Sequence, residues 1–354
     1  MKYRRIMNNI KEIIKKFSNS YPKSKVEDYI KILYQDCFGP GHMFTNSSLF
    51  QNMLFSELEV CENIRTIEPL IDNYFRYYIS KTDYISIDTL TKMFEYSCNI
   101  KNQSEELMDK YLKILEELII ENEIDLDNES LKFINNYKKN GYRAISHSDQ
   151  YRSLYQPHYR VIHNSLQPLI SLIEQIELYL QKQEKVIIAI DGKCGSGKTT
   201  VATILERIYS SNLFHMDDFF LTDDLRTEER LSLPGGNVDY ERFKNEILLN
   251  LKNSKSINYN KYSCSLKAFS NQSIINDKNI IIIEGSYSLH PELIEFYDIK
   301  VFIDINYNMQ KERILKRNGI KSLEMFINKW IPLEEKYFEF YNIKELCNIK
   351  IEQV

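Results

Sequence analysis

Residues 186–200 read Val-Ile-Ile-Ala-Ile-Asp-Gly-Lys-Cys-Gly-Ser-Gly-Lys-Thr-Thr. The apolar run 186–190 has the length and β-branched content of a buried strand. It gives way at Asp191 to Gly192, Lys193, Cys194, Gly195, Ser196, Gly197, Lys198, Thr199 and Thr200, which match Gly-x-x-x-x-Gly-Lys-[Ser/Thr] in full. Beyond the loop, Val201, Ile204, Leu205 and Ile208 recur at helical spacing. A strand feeding a glycine loop at a helix N-terminus directs successive backbone N–H groups at phosphate, so residues 192–200 are the candidate nucleotide site. In such a loop Lys198 reaches the β and γ phosphates of ATP, and Thr199 is a ligand for Mg2+. The chain has ten glycines in 354 residues and places three of them within six positions here. A sequence that sparing with glycine needs positive φ or close backbone approach at this point. Cys194 is read as a small space-filling side chain rather than a nucleophile.

Working outward, the run 213–216 ends in Asp217-Asp218-Phe219-Phe220, and the run 280–283 ends in Glu284-Gly285. With 300–305, these runs alternate with helical stretches, the pattern of a doubly wound, mostly parallel α/β sheet. Parallel strands share one carboxyl edge, so Asp217 and Glu284 are expected to face the phosphate loop. Asp217 is the candidate general base and a magnesium contact. Glu284, a charge at the tip of an apolar strand, is a candidate metal ligand because an unpaired carboxylate is costly there.

The length exceeds the roughly 100 to 200 residues of a common domain. We expect two domains, 1–182, mainly helical and ending in a connecting helix, and 183–354, the nucleotide-binding unit. A helical pattern runs through 26–34, 67–78, 86–96, 105–120, 130–137 and 161–181. Ile6, Ile10, Ile13, Ile14 and Phe17 mark an amphipathic first helix. A net charge of -4 from 46 basic and 50 acidic residues supplies no field for nucleic acid or anionic membrane. No apolar run approaches the roughly 20 residues of a bilayer span. Six dispersed cysteines without Cys-x-x-Cys spacing argue against zinc and for reduced thiols in the cytoplasm.

The phosphate loop, Asp217-Asp218-Phe219-Phe220 and Glu284-Gly285 together resemble the uridine kinase and phosphoribulokinase family of P-loop small-molecule kinases over about 170 residues, 184–354. The resemblance implies an ATP- and Mg2+-dependent phosphotransferase with an alcohol group as acceptor. It implies that Asp217 is the catalytic base and a magnesium contact and Glu284 the second acidic site. Residues 310–319 look like the family's lid, where Arg313 and Arg317 would meet phosphate oxygens. Read from spacing alone, Arg313, Lys316 and Arg317 share a helix face, either as phosphate contacts or as a solvated basic surface.

The segment Leu233-Pro234-Gly235-Gly236-Asn237-Val238-Asp239-Tyr240 sits where the family binds its acceptor. That makes Asp239, Tyr240 and Tyr262 candidate substrate contacts. Uridine kinases follow such a tyrosine with Asp and soon a His that reads the base, whereas this chain has Ser263, Cys264, Ser265 and Leu266. The acceptor is therefore expected among nucleoside-like compounds, sugars or related metabolites. Asn328-Lys329-Trp330-Ile331 lacks the Asp of a guanine-reading motif, which disfavours a GTP switch. An ATP-hydrolysing regulatory or scaffold module without an acceptor is the alternative from another class.

In the first half, Tyr142, Arg143, His147, Tyr151, Arg152, Tyr155, His158, Tyr159 and Arg160 form a dense polar and aromatic cluster. It suits either an anionic or aromatic ligand or a self-satisfied helix junction. Ligand sensing, capping of the acceptor pocket and homo-oligomer formation are the open roles for this half.

Overall fold

The computed structural model describes residues 2–61, 66–100 and 104–353, with the side chains of residues 2–8, Ile6 among them, outside that description. Two compact units divide the chain, Met1–Gln167 and Pro168–Val354.

In the first unit, helices α1 (Lys2–Ser20), α2 (Val26–Phe38), α3 (Ser47–Val60), α4 (Ile87–Cys98), α5 (Glu105–Ile120), α6 (Asn128–Lys139) and α7 (Asp149–Tyr155) surround a small sheet. Its strands are β1 (Ile67–Pro69), β2 (Tyr74–Tyr78) and β3 (Tyr159–His163), antiparallel in that order. Side chains Ser86, Ser104 and Asp127 cap three of the helices by accepting the backbone N–H three residues on. Ile10, Ile14 and Phe17 bury one face of α1 against Leu112, Leu115 and Ile119 of α5.

The sheet corrects the helical reading of 67–78. Apolar residues three and four apart occur there, yet the aromatic run Tyr74–Tyr78 favours extended chain. The buried carboxylate of Asp36 accepts the backbone N–H groups of Asp72 and Asn73 at 3.0 and 2.9 Å, folding the turn between β1 and β2. The helix expected over 161–181 starts later for the same reason: Tyr159–His163 pairs with β2, and a 3-10 segment intervenes.

The second unit begins with α8 (Ile170–Leu180), whose Ile170, Leu172, Ile173 and Ile176 are buried and which packs on β4 (Val186–Gly192). Helix α8 thus belongs to the compact unit Pro168–Val354. Then come α9 (Lys198–Tyr209), β5 (Asn212–His215), α10 (Glu228–Ser232) and α11 (Tyr240–Glu246). A hairpin of β6 (Ser256–Ser263) and β7 (Ala268–Ile275) precedes β8 (Ile280–Glu284) and β9 (Ile299–Ile305). The chain closes with α12 (Tyr307–Asn318), α13 (Ile320–Met325), a π-helical turn (Phe326–Trp330), α14 (Ile331–Phe340), α15 (Ile343–Leu346) and β10 (Ile349–Gln353).

Strand order is β10-β9-β4-β8-β5, with every pairing parallel. This is a doubly wound P-loop kinase sheet preceded by a mainly helical region. Ile188, Ala189 and Ile190 of β4 and Ile281, Ile282 and Ile283 of β8 are fully buried, as strands covered on both faces require. No helix among the described residues is long and apolar enough to cross a membrane.

Candidate active site

The carboxyl ends of β4, β5 and β8 lie on one edge of the sheet and carry the phosphate loop, Asp217 and Glu284 respectively. Gly192, Gly195 and Gly197 all take positive φ, at 138°, 74° and 98°. At Gly192 a Cβ would run into the backbone carbonyl of Ile303 on β9, so only glycine lets the loop leave the sheet there. Gly285 has φ 136°, and a Cβ there would sit 2.8 Å from the Met216 side chain, so glycine keeps the tips of β8 and β5 together.

Lys198 is buried, with Nζ donating to the carbonyls of Gly192 at 2.6 Å and Lys193 at 3.2 Å. Thr199 Oγ1 lies 3.2 Å from both carboxylate oxygens of Glu284. His215 Nδ1 lies 2.6 Å from Glu284 Oε1, and that bond holds the imidazole above its ordinary pKa. Asp217 opens into the cavity. Although Asp217 is exposed to the cavity, the partial shelter of the cleft, reinforced by the neighbouring Glu284, pushes its carboxyl above the usual value of 3.8.

A cavity of 540 Å³ joins these groups: Lys198, Thr199, Thr200, Asp217 and Glu284 line it. Arg317 of α12 also faces it, while Arg313 turns its guanidinium to the loop carbonyls of Ser196 at 3.4 Å and Gly195 at 3.5 Å. Cys194 is buried, and its thiol is pushed up by burial and by Glu334, as suits a space-filling residue.

The three expected acceptor contacts lie elsewhere. Asp239 caps α11 by accepting the Arg242 N–H at 3.0 Å and pairs with the same guanidinium at 3.1 Å. Tyr240 is stacked on His290 at 3.8 Å with the Arg230 guanidinium 4.2 Å from its ring. Tyr262 packs against Phe269 of the hairpin at 5.1 Å. None of the three lines the cavity, because each is consumed by its own element. In their place the cavity is walled by Phe220, Arg226, Asn237, Cys264 and Tyr287 together with Phe326, Lys329, Trp330 and Glu334.

Two buried carboxylates behind the loop carry no signature in the sequence. Glu334 of α14 accepts the backbone N–H of Cys194 at 2.8 Å and the Ser286 hydroxyl at 2.5 Å. Asp191, fully buried, accepts N–H groups of Gly192, Tyr287 and Leu289 and the hydroxyl of Tyr337, also on α14, at 3.0 Å. Burial raises the Asp191 carboxyl to about 6 against the pull of Lys198 and these donors. Tyr287, at φ 71°, is held in a left-handed conformation by its bond to Asp191 and by a side-chain bond to Asn237.

In the first unit His147, Tyr151, Tyr159 and Arg160 of the cluster turn inward, while Arg143 and Arg152 stay exposed. His147 is buried with Nδ1 2.7 Å from Asp28 and Nε2 2.7 Å from the Tyr159 hydroxyl, and it stacks on Tyr151 at 4.0 Å. Arg160 pairs with Glu57 at 3.0 Å.

The phosphate loop at the carboxyl edge of a parallel sheet, faced by two strand-end carboxylates, defines a P-loop phosphotransferase of the small-molecule kinase class. The model of the phosphoribulokinase / uridine kinase family matches residues 187–322. A uridine kinase of Staphylococcus epidermidis is 28% identical over 174 residues, covering 44% of this chain and 83% of the relative. A uridine kinase of Anoxybacillus flavithermus is 31% identical over 177 residues, covering 45% of this chain and 82% of the relative. The solved structure of a possible uridine kinase from Bacillus stearothermophilus aligns with 51% of this chain and 99% of its own, at 21% identity and a TM-score of 0.39. The chain belongs to the phosphoribulokinase / uridine kinase family.

Proposed function

We propose that this protein transfers the γ-phosphoryl group of ATP to a hydroxyl of a small molecule, with magnesium as the accompanying ion. The observation that carries this reading is the opening of Lys198, at the start of α9, and of Asp217 and Glu284, at the ends of β5 and β8, into one cavity.

Each group has a task that its surroundings support. Loop N–H groups and the start of α9 receive the phosphates, and Lys198, held against the Gly192 carbonyl, needs only a small rotation to meet them. Thr199, Glu284 and Asp217 offer an all-oxygen donor set suited to a hard divalent cation. When bound, magnesium supplies neutralisation of phosphate charge. Asp217 takes the proton of the acceptor hydroxyl, and its raised pKa makes it a stronger base than an ordinary carboxylate. The acceptor oxygen forms a bond to the γ phosphorus while the bond to the β–γ bridging oxygen breaks, leaving its electron pair on ADP. Arg317 in the cavity is the contact for the transferring group, and Arg313 braces the loop from behind.

The test is the full chain with ATP and magnesium against a panel of nucleosides, sugars and vitamin precursors, scanned for mass gain of one phosphate. Release of inorganic phosphate with no compound modified would sink the kinase reading in favour of a hydrolysing regulatory module.

A further inference from the structure

Helix α13, the π turn and α14 form one run that starts beside the arginine-bearing α12 and ends at the phosphate loop. Glu334 fixes its register by gripping Cys194. Counting outward from that anchor, Trp330 and Phe326 lie at intervals of four, so their rings continue the same stripe away from the loop. A π turn holds one residue more than an α turn and rotates the downstream helix, and such turns recur at functional sites. Here it brings Lys329 as well as Phe326 and Trp330 to the cavity wall. The cavity is also lined, after Asp217 in the chain, by Phe220 and by Arg226, whose guanidinium touches Cys264 Sγ at 3.6 Å at the hairpin turn.

Beyond the strand-end acids and the loop, the cavity lining therefore has two properties. Three aromatic side chains, Phe220, Phe326 and Trp330, offer flat apolar faces. Two cations stand beside them with little compensation. Lys329 Nζ lies 4.9 Å from the Trp330 ring and pairs with no carboxylate among the described residues. Arg226 has Asp223 at 3.9 Å, but that carboxylate is already engaged by Lys267 at 2.5 Å. The acids that line the cavity, Asp217, Glu284 and Glu334, come from the strand ends and the loop anchor. An exposed pair at 3.9 Å is worth little, so the Arg226 charge remains available to a ligand.

Resting on the kinase reading, we propose that the acceptor is a hydroxyl compound carrying both a planar ring and a negatively charged group. The ring stacks in the slot of Phe220, Phe326 and Trp330, and the charge is met by Arg226 and Lys329. Stacking orients the acceptor, and the cations hold it with its hydroxyl toward Asp217.

Trp330 is the one tryptophan of the chain, so its emission reports on this cavity directly. The probes are matched pairs differing by a carboxylate: uridine with orotidine, pyridoxine with 4-pyridoxic acid, and the ringless pair glycerol with glycerate. We expect the carboxylated member of at least one ring pair to bind the full chain at least ten-fold more tightly than its neutral partner, and more tightly than glycerate. The double variant Arg226→Ala, Lys329→Ala should erase that preference while the KM for ATP stays within about two-fold. Equal or weaker binding of the carboxylates in both ring pairs would overturn the proposal, as would a loss of ATP affinity in the double variant that matches the loss for the acid. Glycerate binding as tightly as the ring acids would remove the role of the aromatic slot. A chain whose emission ignores ATP–magnesium and which forms no ADP fails the kinase reading itself, a result distinct from normal ATP handling without acid preference.

Discussion

The carboxylate of Glu334 accepts the backbone N–H of Cys194 at 2.8 Å across 140 residues of sequence. Its other oxygen takes the Ser286 hydroxyl, and Tyr337, three residues on, bonds Asp191 at the root of the same loop. One helical turn of α14 thus holds the phosphate loop and the tip of β8 together. Glu334→Ala leaves a buried N–H without an acceptor, a loss of about 1.5 to 3 kcal/mol for a charged partner. We expect ATP affinity by calorimetry to fall roughly ten- to hundred-fold, with Glu334→Gln milder because its amide oxygen still accepts one donor. Native affinity in the alanine variant would remove this anchoring role.

Lys198→Ala deletes the buried cation proposed to meet the phosphates. Turnover should fall by about 10² to 10³, and ATP binding should weaken with it. ADP formation and calorimetry on the same preparation check both halves.

Asp217→Asn separates binding from chemistry. Phosphoryl transfer should drop by about 10² to 10⁴ while the ATP dissociation constant moves by less than about three-fold. In the native protein the base must be ionised, and its pKa lies above 3.8. Unchanged phosphoryl transfer in the Asp217→Asn variant would remove Asp217 from the role of base.

Asp191 makes stability depend on pH in the opposite sense to a surface aspartate. Its carboxyl is raised to about 6 in the fold, so its contribution is full below 3.8 and is lost as pH rises through 6. The Tyr337 hydroxyl offsets part of the cost of the buried charge. Tyr337→Phe should destabilise the second unit by about 1.5 to 3 kcal/mol at pH 8 and by clearly less at pH 5, read from Trp330 emission in urea. Equal deficits at both pH values would show that the hydroxyl serves packing alone.

His147 gives the first unit an acid sensitivity. Burial, with Arg76 and Lys31 nearby, lowers its pKa from 6.5 to about 4, against the opposing bond to Asp28. Its stabilising contribution is present above 6.5 and lost as pH falls through 4, an interval worth about 3 kcal/mol. His147→Phe keeps the ring over Tyr151 but removes the titration. Hydrogen exchange across α2 should show a shallower loss of protection between pH 6.5 and 4 in that variant, at the expense of weaker protection at pH 7.5.

Local order in the chain decided the centre of this protein. Residues 186–200 fold as strand, loop and helix from their own composition, because each requirement is met within fifteen neighbours: β-branched burial, positive φ at the glycines, and an open helix N-terminus. Asp217 and Glu284 were legible for a related reason, since a charge that ends an apolar run marks the carboxyl end of a strand, and parallel pairing brings such ends to one edge. Residues 67–78 were ambiguous because their apolar spacing suits either period, and only pairing with 159–163 and the Asp36 carboxylate selected strands. Asp239, Tyr240 and Tyr262 stand near the expected place in sequence, yet a cap, a stack and a hairpin contact withdraw them from the cavity. Glu334 reads like any solvated helix glutamate, and nothing local marks the π turn that carries Lys329 and Trp330 to the cavity. Sequence determined the geometry of the phosphate loop and which strand ends carry acid, because both are set by short-range backbone geometry. The tertiary structure alone decided which residues of α14 and the π turn wall the cavity, because helix register over 140 residues is set by packing and buried hydrogen bonds that no neighbour in sequence encodes.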